Sequence, residues 1–338
     1  MTSVLFITRT YSDRPGGMQT YAKTLHRALR DREDVLVDDC VLRGSMTSLP
    51  LFCMHALWRA VTTRQNTVLL GDAVLSPLCV LMRIVRPHVR RVVIVHGLDL
   101  TWRFPLHRTI VGFSLRSAHC VVAVSASTAE IARDLGIPAD RITVIPCPVP
   151  LAEISATPRI AGSILLLGRL IRRKGAVWFL EHVLPLLYTH HPELTVVIAG
   201  DGPERQTIDA LLRASPYRSV VTVTGSVPDQ ERDRLLSEAS LLVVPNVAVP
   251  GDTEGFGIVC LEAAVRGLPV VAARIDGLPD AVIEGVTGSL FDAGLPDACV
   301  RAIEDAFVAS WNPAEMHRAV SERYAPSVIV SRFIRDAL

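Results

Sequence analysis

Short apolar runs rich in β-branched residues alternate along this chain with segments whose apolar positions recur every three or four residues. Runs of the first kind read as buried strands and segments of the second as amphipathic helices, so their alternation predicts βα units and parallel sheets. In the first half the strand candidates are residues 4–8, 35–41, 68–70, 91–95, 121–124 and 142–145. In the second half they are residues 163–167, 194–199, 220–224, 241–245, 269–272 and 288–291. Six and six predict two doubly wound α/β domains. Pro146-Cys-Pro-Val-Pro150, followed by a polar stretch, reads as the linker between them, giving domains at 1–150 and 151–326. The remaining 327–338 has helical spacing at Val328, Phe333, Ile334 and Leu338 and is expected to pack back on the first domain.

Composition agrees with this division. A chain of 338 residues exceeds what one core serves, and 49% hydrophobic with 20% charged residues marks an ordinary globular protein. Seven scattered cysteines with no C-x-x-C pair read as reduced core thiols of a cytoplasmic protein. The first residues lack a charged leader and predict a strand. No apolar run nears the roughly 20 residues needed to span a bilayer, because Arg83 and Arg86 interrupt the best candidate. The net charge of +1 hides an asymmetry: residues 1–150 carry 18 Lys and Arg against 11 Asp and Glu, and residues 151–338 carry 17 against 23. From Arg43 to Arg116 ten arginines face only Asp72 and Asp99. Such a field invites a phosphate-bearing partner or an anionic surface, and the alternative is a solvated basic face with no partner.

Candidate chemistry gathers at strand ends. The strand at 163–167 runs into Gly168-Arg169-Leu-Ile-Arg-Arg-Lys174-Gly175. Cations at the C-terminal end of a strand in an open α/β sheet face the ligand crevice, where arginine grips phosphate with two hydrogen bonds and lysine as a point charge. A generic basic turn is the other reading. The strand at 241–245 leads to Glu254-Gly-Phe-Gly-Ile-Val-Cys-Leu-Glu262 and a helix ending near Gly267. At about 1.5 Å per residue the two carboxylates would stand roughly 12 Å apart along that helix, which suits a ligand with hydroxyls at both ends and phosphates between. The alternative is an N-cap acid and a solvent-facing helical Glu. In the first half, Asp13-Arg-Pro-Gly16-Gly17 joins a strand to a helix with apolar positions Met18, Tyr21, Ala22, Leu25, Ala28 and Leu29. Paired glycines there admit an anion to the helix N-terminus, or serve only to shape the turn. His96 ends the strand Val92-Val-Ile-Val and is either structural or part of a site.

Together Glu254…Glu262, the Gly-Arg-x4-Lys-Gly segment, Ala199-Gly-Asp-Gly-Pro-Glu204, Gly267-Leu-Pro-Val-Val271, Gly277 and Gly288 resemble the retaining GT-B glycosyltransferases with an E-x7-E motif, called family 4. The resemblance covers nearly the whole chain. It implies an α/β GT-B fold, two Rossmann-like domains facing across a cleft, with the acceptor on the first and a nucleotide sugar on the second. The substrates implied are a UDP- or GDP-linked hexose and a glycan or lipid-linked acceptor, with no cofactor, no metal and no nucleic-acid partner. Arg169 and Lys174 would neutralise the leaving diphosphate and Glu262 would bind the ribose. Glu254 would hold hydroxyls of the sugar, helped by the backbone N–H groups of Gly255, Phe256 and Gly257. Gly16 and Gly17 would lie at the phosphate, and His96 near the sugar. The chain departs from the family where Cys147-Pro148-Val149 replaces Asn-Gly-Val and where the first domain is abbreviated after Val41.

Rival readings share parts of this pattern. A sugar-nucleotide 2-epimerase or an inverting transferase could use the same plan, the latter with Asp13 as the nearby base. A non-catalytic nucleotide-sugar-binding protein would keep the cations and Glu262. A nicotinamide-dependent dehydrogenase is disfavoured, since G-x-G-x-x-G with an acid about 20 residues later is missing and Gly200-Asp-Gly202 only imitates it. Finally, apolar Leu81, Met82, Ile84 and Val85 lie beside Arg83, Arg86, Arg90 and Arg91. Trp102, Phe104, Ile110 and Phe113 likewise lie beside Arg103, Arg108 and Arg116. That mixture predicts peripheral attachment to an anionic membrane surface on the cytoplasmic side, unless 81–85 is core and the arginines serve a soluble phosphorylated acceptor.

Overall fold

The computed structural model describes residues 2–11, 16–42, 48–62, 64–101, 105–155 and 157–338. It divides the chain into two compact units, one of residues 1–150 with 323–338 and the other of residues 151–322. The first holds β1 (Thr2–Thr8), β2 (Val35–Val41), β3 (Thr67–Leu70), β4 (Arg90–Val95), β5 (Cys120–Ala123) and β6 (Ile142–Val144). They form a parallel sheet in the order β2-β1-β3-β4-β5-β6. The second holds β7 (Ser163–Leu167), β8 (Thr195–Ala199), β9 (Val221–Gly225), β10 (Leu241–Val244), β11 (Val270–Ala273) and β12 (Gly288–Phe291). These are also parallel, ordered β12-β11-β10-β7-β8-β9. Each expected strand meets an observed one to within two residues at either end. Every residue of β3, β5, β10 and β11 is buried, as expected of parallel strands covered on both faces, which is why these segments read as continuous apolar runs.

The proline-rich crossing differs from an exposed linker. Ile145, Cys147 and Val149 are buried, and the Val149 N–H donates to the Tyr324 carbonyl (3.0 Å), where the chain returns to the first unit. The returning helix Pro326–Asp336 packs on the helix Gly17–Arg30. Its buried residues are Ile329, Val330 and Phe333, with Ala337 just past its end; Phe333 is inward as expected, whereas the expected Val328, Ile334 and Leu338 give way to neighbours about one position off. Arg332 donates to the Val144 carbonyl (3.0 Å) and Arg90 to the Ala337 carbonyl (2.9 Å), fixing this helix to the ends of β6 and β4. All seven cysteines are free, and six of them are buried.

Two glycines set the loops that matter below. Gly175 has φ +71°, and a Cβ there would lie 1.9 Å from the Pro245 carbonyl oxygen. Gly200 has φ +149°, and its Cβ would lie 1.8 Å from the Gly168 carbonyl oxygen. The Gly200-Asp-Gly202 segment therefore allows close approach of the loop after β7, which explains its partial likeness to a dinucleotide motif: Leu170 N–H donates to Asp201 O (2.9 Å) and Glu204 N–H to Leu170 O (3.0 Å). A Gly175→Ala variant must accept both a left-handed backbone and displacement of the β10 loop, and should lose at least about 2 kcal/mol. Urea unfolding measures this, and an unchanged midpoint would refute the close approach.

Candidate functional site

In the second unit β7 and β10 are neighbours whose onward connections run to opposite sides of the sheet. A crevice opens at the C-terminal ends of two such strands, and this is where open α/β sheets bind ligands. Here the crevice is an open recess lined by Gly168, Arg169, Leu170 and Lys174 from the β7 side and by Pro245 and Asn246 from the β10 side. Arg169 is exposed, and its guanidinium makes no ion pair among the described residues. Lys174 ends a short 3-10 turn, Arg172–Lys174, and aims its ammonium at Glu254.

Glu254 is the hub. Its Oε2 accepts from the Lys174 ammonium, the Arg173 guanidinium and the Asn246 amide (3.1 Å). Arg173 is buried and also donates through Nε to Asp252 (2.9 Å). The backbone of Glu254 is clipped on both sides, because its N–H donates to Asp276 Oδ2 (2.9 Å) and its carbonyl accepts from the Gly277 N–H (3.0 Å). Asp276 takes φ +54° to do this, the one non-glycine residue with positive φ among those described. Burial alone would raise the Glu254 pKa, but the charges of Lys174 and then Arg173, with hydrogen bonds from Lys174 and Asn246, hold it down at about 2. The carboxylate stays ionised, and its Oε1 is left for another partner.

Glu262 lies on the helix Ile258–Ala264, whose N-cap is Gly257 with φ +86°. Glu254 therefore stands in the loop before the helix, and a helical 12 Å separation between the two acids does not apply. Glu262 is buried rather than solvent-facing, and its Oε2 pairs with Arg232 of the helix Asp229–Glu238. Phe256 is buried, and a Cβ on Gly257 would meet Leu278 Cδ2 at 2.4 Å, so the Gly255-Phe256-Gly257 segment is tightly seated.

In the first unit the order of strands reverses between β1 and β3. Gly16, in an extended conformation, precedes the helix starting at Gly17, which buries Tyr21, Ala22, Leu25, His26 and Leu29. Met18 and Ala28 are only half-buried, and His26 takes a place in the core face. Tyr21 reaches His96 edge-on, with ring centroids 5.0 Å apart. His96 is buried, its Nε2 bonded to the Gly71 carbonyl (3.0 Å) and its N–H donating to Asp99 Oδ1 (2.8 Å). With Nε2 so engaged, only Nδ1 is left to face a ligand. Beside it, Arg9 pairs with the fully buried Asp72 (2.9 Å). Asp13 lies outside the described residues.

Sequence reasoning missed the roles of Arg173, Asn246, Asp276 and Arg232, which contact the two glutamates, and of Asp252, which holds Arg173. Asn246 lies two residues past the end of β10, a position that could have marked it.

Two family models match the chain, "Glycosyltransferase Family 4" over residues 41–153 and "Glycosyl transferases group 1" over residues 161–307. Each half of the chain thus matches a glycosyltransferase family model, and its two Rossmann-like α/β domains have the GT-B fold. It is 33% identical over 131 residues to the GDP-mannose-dependent alpha-(1-6)-phosphatidylinositol monomannoside mannosyltransferase of Mycolicibacterium smegmatis, covering 38% of this chain and 34% of that one. It is 26% identical over 314 residues to the phosphatidylinositol N-acetylglucosaminyltransferase gpi3 subunit of Schizosaccharomyces pombe, covering 84% and 61%. The chain thus spans about a third to three fifths of these relatives' lengths. Among solved structures it is similar to sucrose-phosphate synthase of Thermosynechococcus elongatus (TM-score 0.79, 19% identity, 99% and 98% covered). It is similar also to Anabaena HepE in complex with UDP (TM-score 0.77, 19% identity, 99% of each covered). These last two likenesses concern the fold, two Rossmann-like α/β domains.

The Glu254 cluster has a pH signature. A carboxylate whose pKa falls from 4.5 to about 2 on folding adds stability that is fully present above pH 4.5 and is lost as pH falls toward 2. At neutral pH, Glu254→Gln should cost about 3 kcal/mol, the size of that shift. Urea unfolding of both proteins should show the gap narrowing as pH drops below 4.5. A gap that is constant with pH, or absent at neutral pH, would refute the pairing.

Proposed function

We propose that this chain, with its GT-B fold, is an active, metal-independent glycosyltransferase. It moves a hexose from a UDP- or GDP-linked donor to a glycan or lipid-linked acceptor with retention of anomeric configuration. The observation that carries the reading is the placement of Arg169 and Lys174 at the β7–β10 switch point, one cation unpaired and the other braced by a carboxylate. Departure of a nucleoside diphosphate builds negative charge on the phosphate oxygens, and fixed cations stabilise that charge without reorganising. Arg169 supplies a bidentate fork there, and Lys174 a point charge. The donor thus belongs to the second unit and the acceptor to the first.

Glu254 then has two tasks. Through Oε2 it orients Lys174, and through Oε1 it accepts from hydroxyls of the transferred sugar, next to the backbone of Gly255, Phe256 and Gly257. Glu262, steadied by Arg232, offers its Oε1 to the ribose hydroxyls. Gly16 and Gly17 admit the phosphate at a helix N-terminus, and His96 addresses the sugar through Nδ1. No residue is assigned as a general base, since same-face attack lets the departing phosphate oxygen take the acceptor proton. Relatives named for phosphatidylinositol substrates favour a lipid-linked acceptor.

Arg169→Ala tests the assignment most cleanly, because an exposed, unpaired side chain contributes little to folding. With donor saturating, turnover should fall on the order of 100-fold while the thermal midpoint stays put. NMR of product made in excess EDTA should show a retained linkage. Full activity of the variant would remove Arg169 from the reaction, an inverted linkage or chelator-sensitive turnover would overturn the mechanism, and absence of any donor turnover would leave a binding protein.

A further inference from the structure

Three helices of the first unit lie side by side: Leu49–Thr62 packs on Pro77–Val85, which packs on Pro105–Leu115. Each has a buried apolar face and a second apolar face turned to solvent. The first helix buries Phe52, Ala56 and Ala60 and exposes Leu51, Met54 and Trp58. The second buries Leu78, Cys79 and Met82 and exposes Leu81, Ile84 and Val85. The third buries Val111 and Leu115 and exposes Leu106, Ile110 and Phe113. The outward residues are each between 44 and 75% exposed, so three adjacent helices present large apolar side chains together. Soluble monomers rarely leave such a patch uncovered.

Charge says what covers it. None of the three helices contains an Asp or Glu. Arg83 and Arg108 stand exposed among the apolar residues with no ion pair among those described, and Arg64, also exposed and unpaired, follows the first helix. Apolar side chains interleaved with unpaired arginines, and no acid, match the boundary between headgroups and acyl chains of an anionic leaflet. There the side chains of Trp58 and Phe113 insert and the guanidinium groups meet phosphates. No helix among the described residues is long and apolar enough to cross a membrane. We infer that this three-helix facet docks the protein peripherally on an anionic lipid bilayer.

The facet refines the attachment expected from sequence. Met82 is core, Arg91 is buried with its guanidinium on the Ser117, Pro87 and Val89 carbonyls, and Arg90 is tied to Ala337, so these three do not face lipid. Trp102, Arg103 and Phe104 lie outside the described residues. The helix Leu49–Thr62, unforeseen in the sequence, adds Leu51, Met54 and Trp58 to the surface. The inference stands apart from the donor-site reading, because vesicle binding needs no turnover.

Co-sedimentation with phosphatidylglycerol–phosphatidylcholine vesicles tests it on the full chain, with pure phosphatidylcholine as the comparison. The protein should partition to the anionic vesicles at low salt and be released as salt rises. Each Arg at an anionic leaflet contributes about fivefold, so Arg83→Glu with Arg108→Glu should weaken partitioning by at least about 25-fold. Met54→Ser with Phe113→Ser should weaken it as well, with thermal midpoints kept in both variants as the check on folding. Trp58 fluorescence should shift to the blue on binding, and Trp58→Phe should abolish that shift. Failure to sediment with anionic vesicles, or undiminished binding by both variants, would overturn the proposal. Self-association without lipid that the serine substitutions dissolve would overturn it too, assigning the facet to a second copy of the chain.

Discussion

The candidate site in the second unit depends on a single carboxylate oxygen. Glu254 Oε2 gathers a lysine and an arginine from the loop after β7 and an asparagine from the end of β10, while its backbone is clipped by Asp276 and Gly277 from the loop after β11. Three strand-end loops are thereby tied to one point. Two cations would repel one another in so small a space, and without the carboxylate Arg173 would keep only Asp252 for its buried charge. The ion pair therefore works as a register pin for the loops, a use of buried charge better founded than any net gain in stability.

From this constraint follows a division of labour within Gly168-Arg-Leu-Ile-Arg-Arg-Lys-Gly175. Arg173 turns inward to hold Glu254 and Asp252, Lys174 is braced at the rim, and Arg169 is left unpaired over the recess. A cation already neutralised by a carboxylate has less to give to a phosphate than one that is not. The unpaired arginine is thus the stronger anion contact, and Lys174 links the anion to the acid that reaches the sugar. The glycines around it act by absence, since Gly175 and Gly200 let neighbouring loops come closer than any Cβ allows.

Much of this was legible in the sequence. Strands buried on both faces leave continuous apolar runs, so β3, β5, β10 and β11 show themselves without any partner being known. The loop that carries Arg169 and Lys174 follows β7, and the loop and helix that carry Glu254 and Glu262 follow β10, so these residues could be placed with their strands. What could not be read was the direction of side chains in short turns: nothing in Arg172-Arg173-Lys174 says which of three successive cations points inward. The pairing of Glu262 with Arg232, thirty positions earlier, and the positive φ of Asp276 are tertiary facts with no local trace. The helix Leu49–Thr62 was hidden for a different reason. Its outward face is as apolar as its inward one, so the contrast that reveals a surface helix is missing, and the same property makes it fit to meet lipid.

The central claim is that the β7–β10 recess is built for a diphosphate held by the unpaired Arg169. Calorimetric titration of the wild-type and Arg169→Ala proteins with a nucleoside diphosphate, and with the matching nucleoside, tests it most directly. Loss of a charge-assisted hydrogen-bonded pair should weaken the diphosphate at least about tenfold and leave the nucleoside unchanged. Equal affinity of the two proteins for the diphosphate, or an equal loss for nucleoside and diphosphate, would contradict the account.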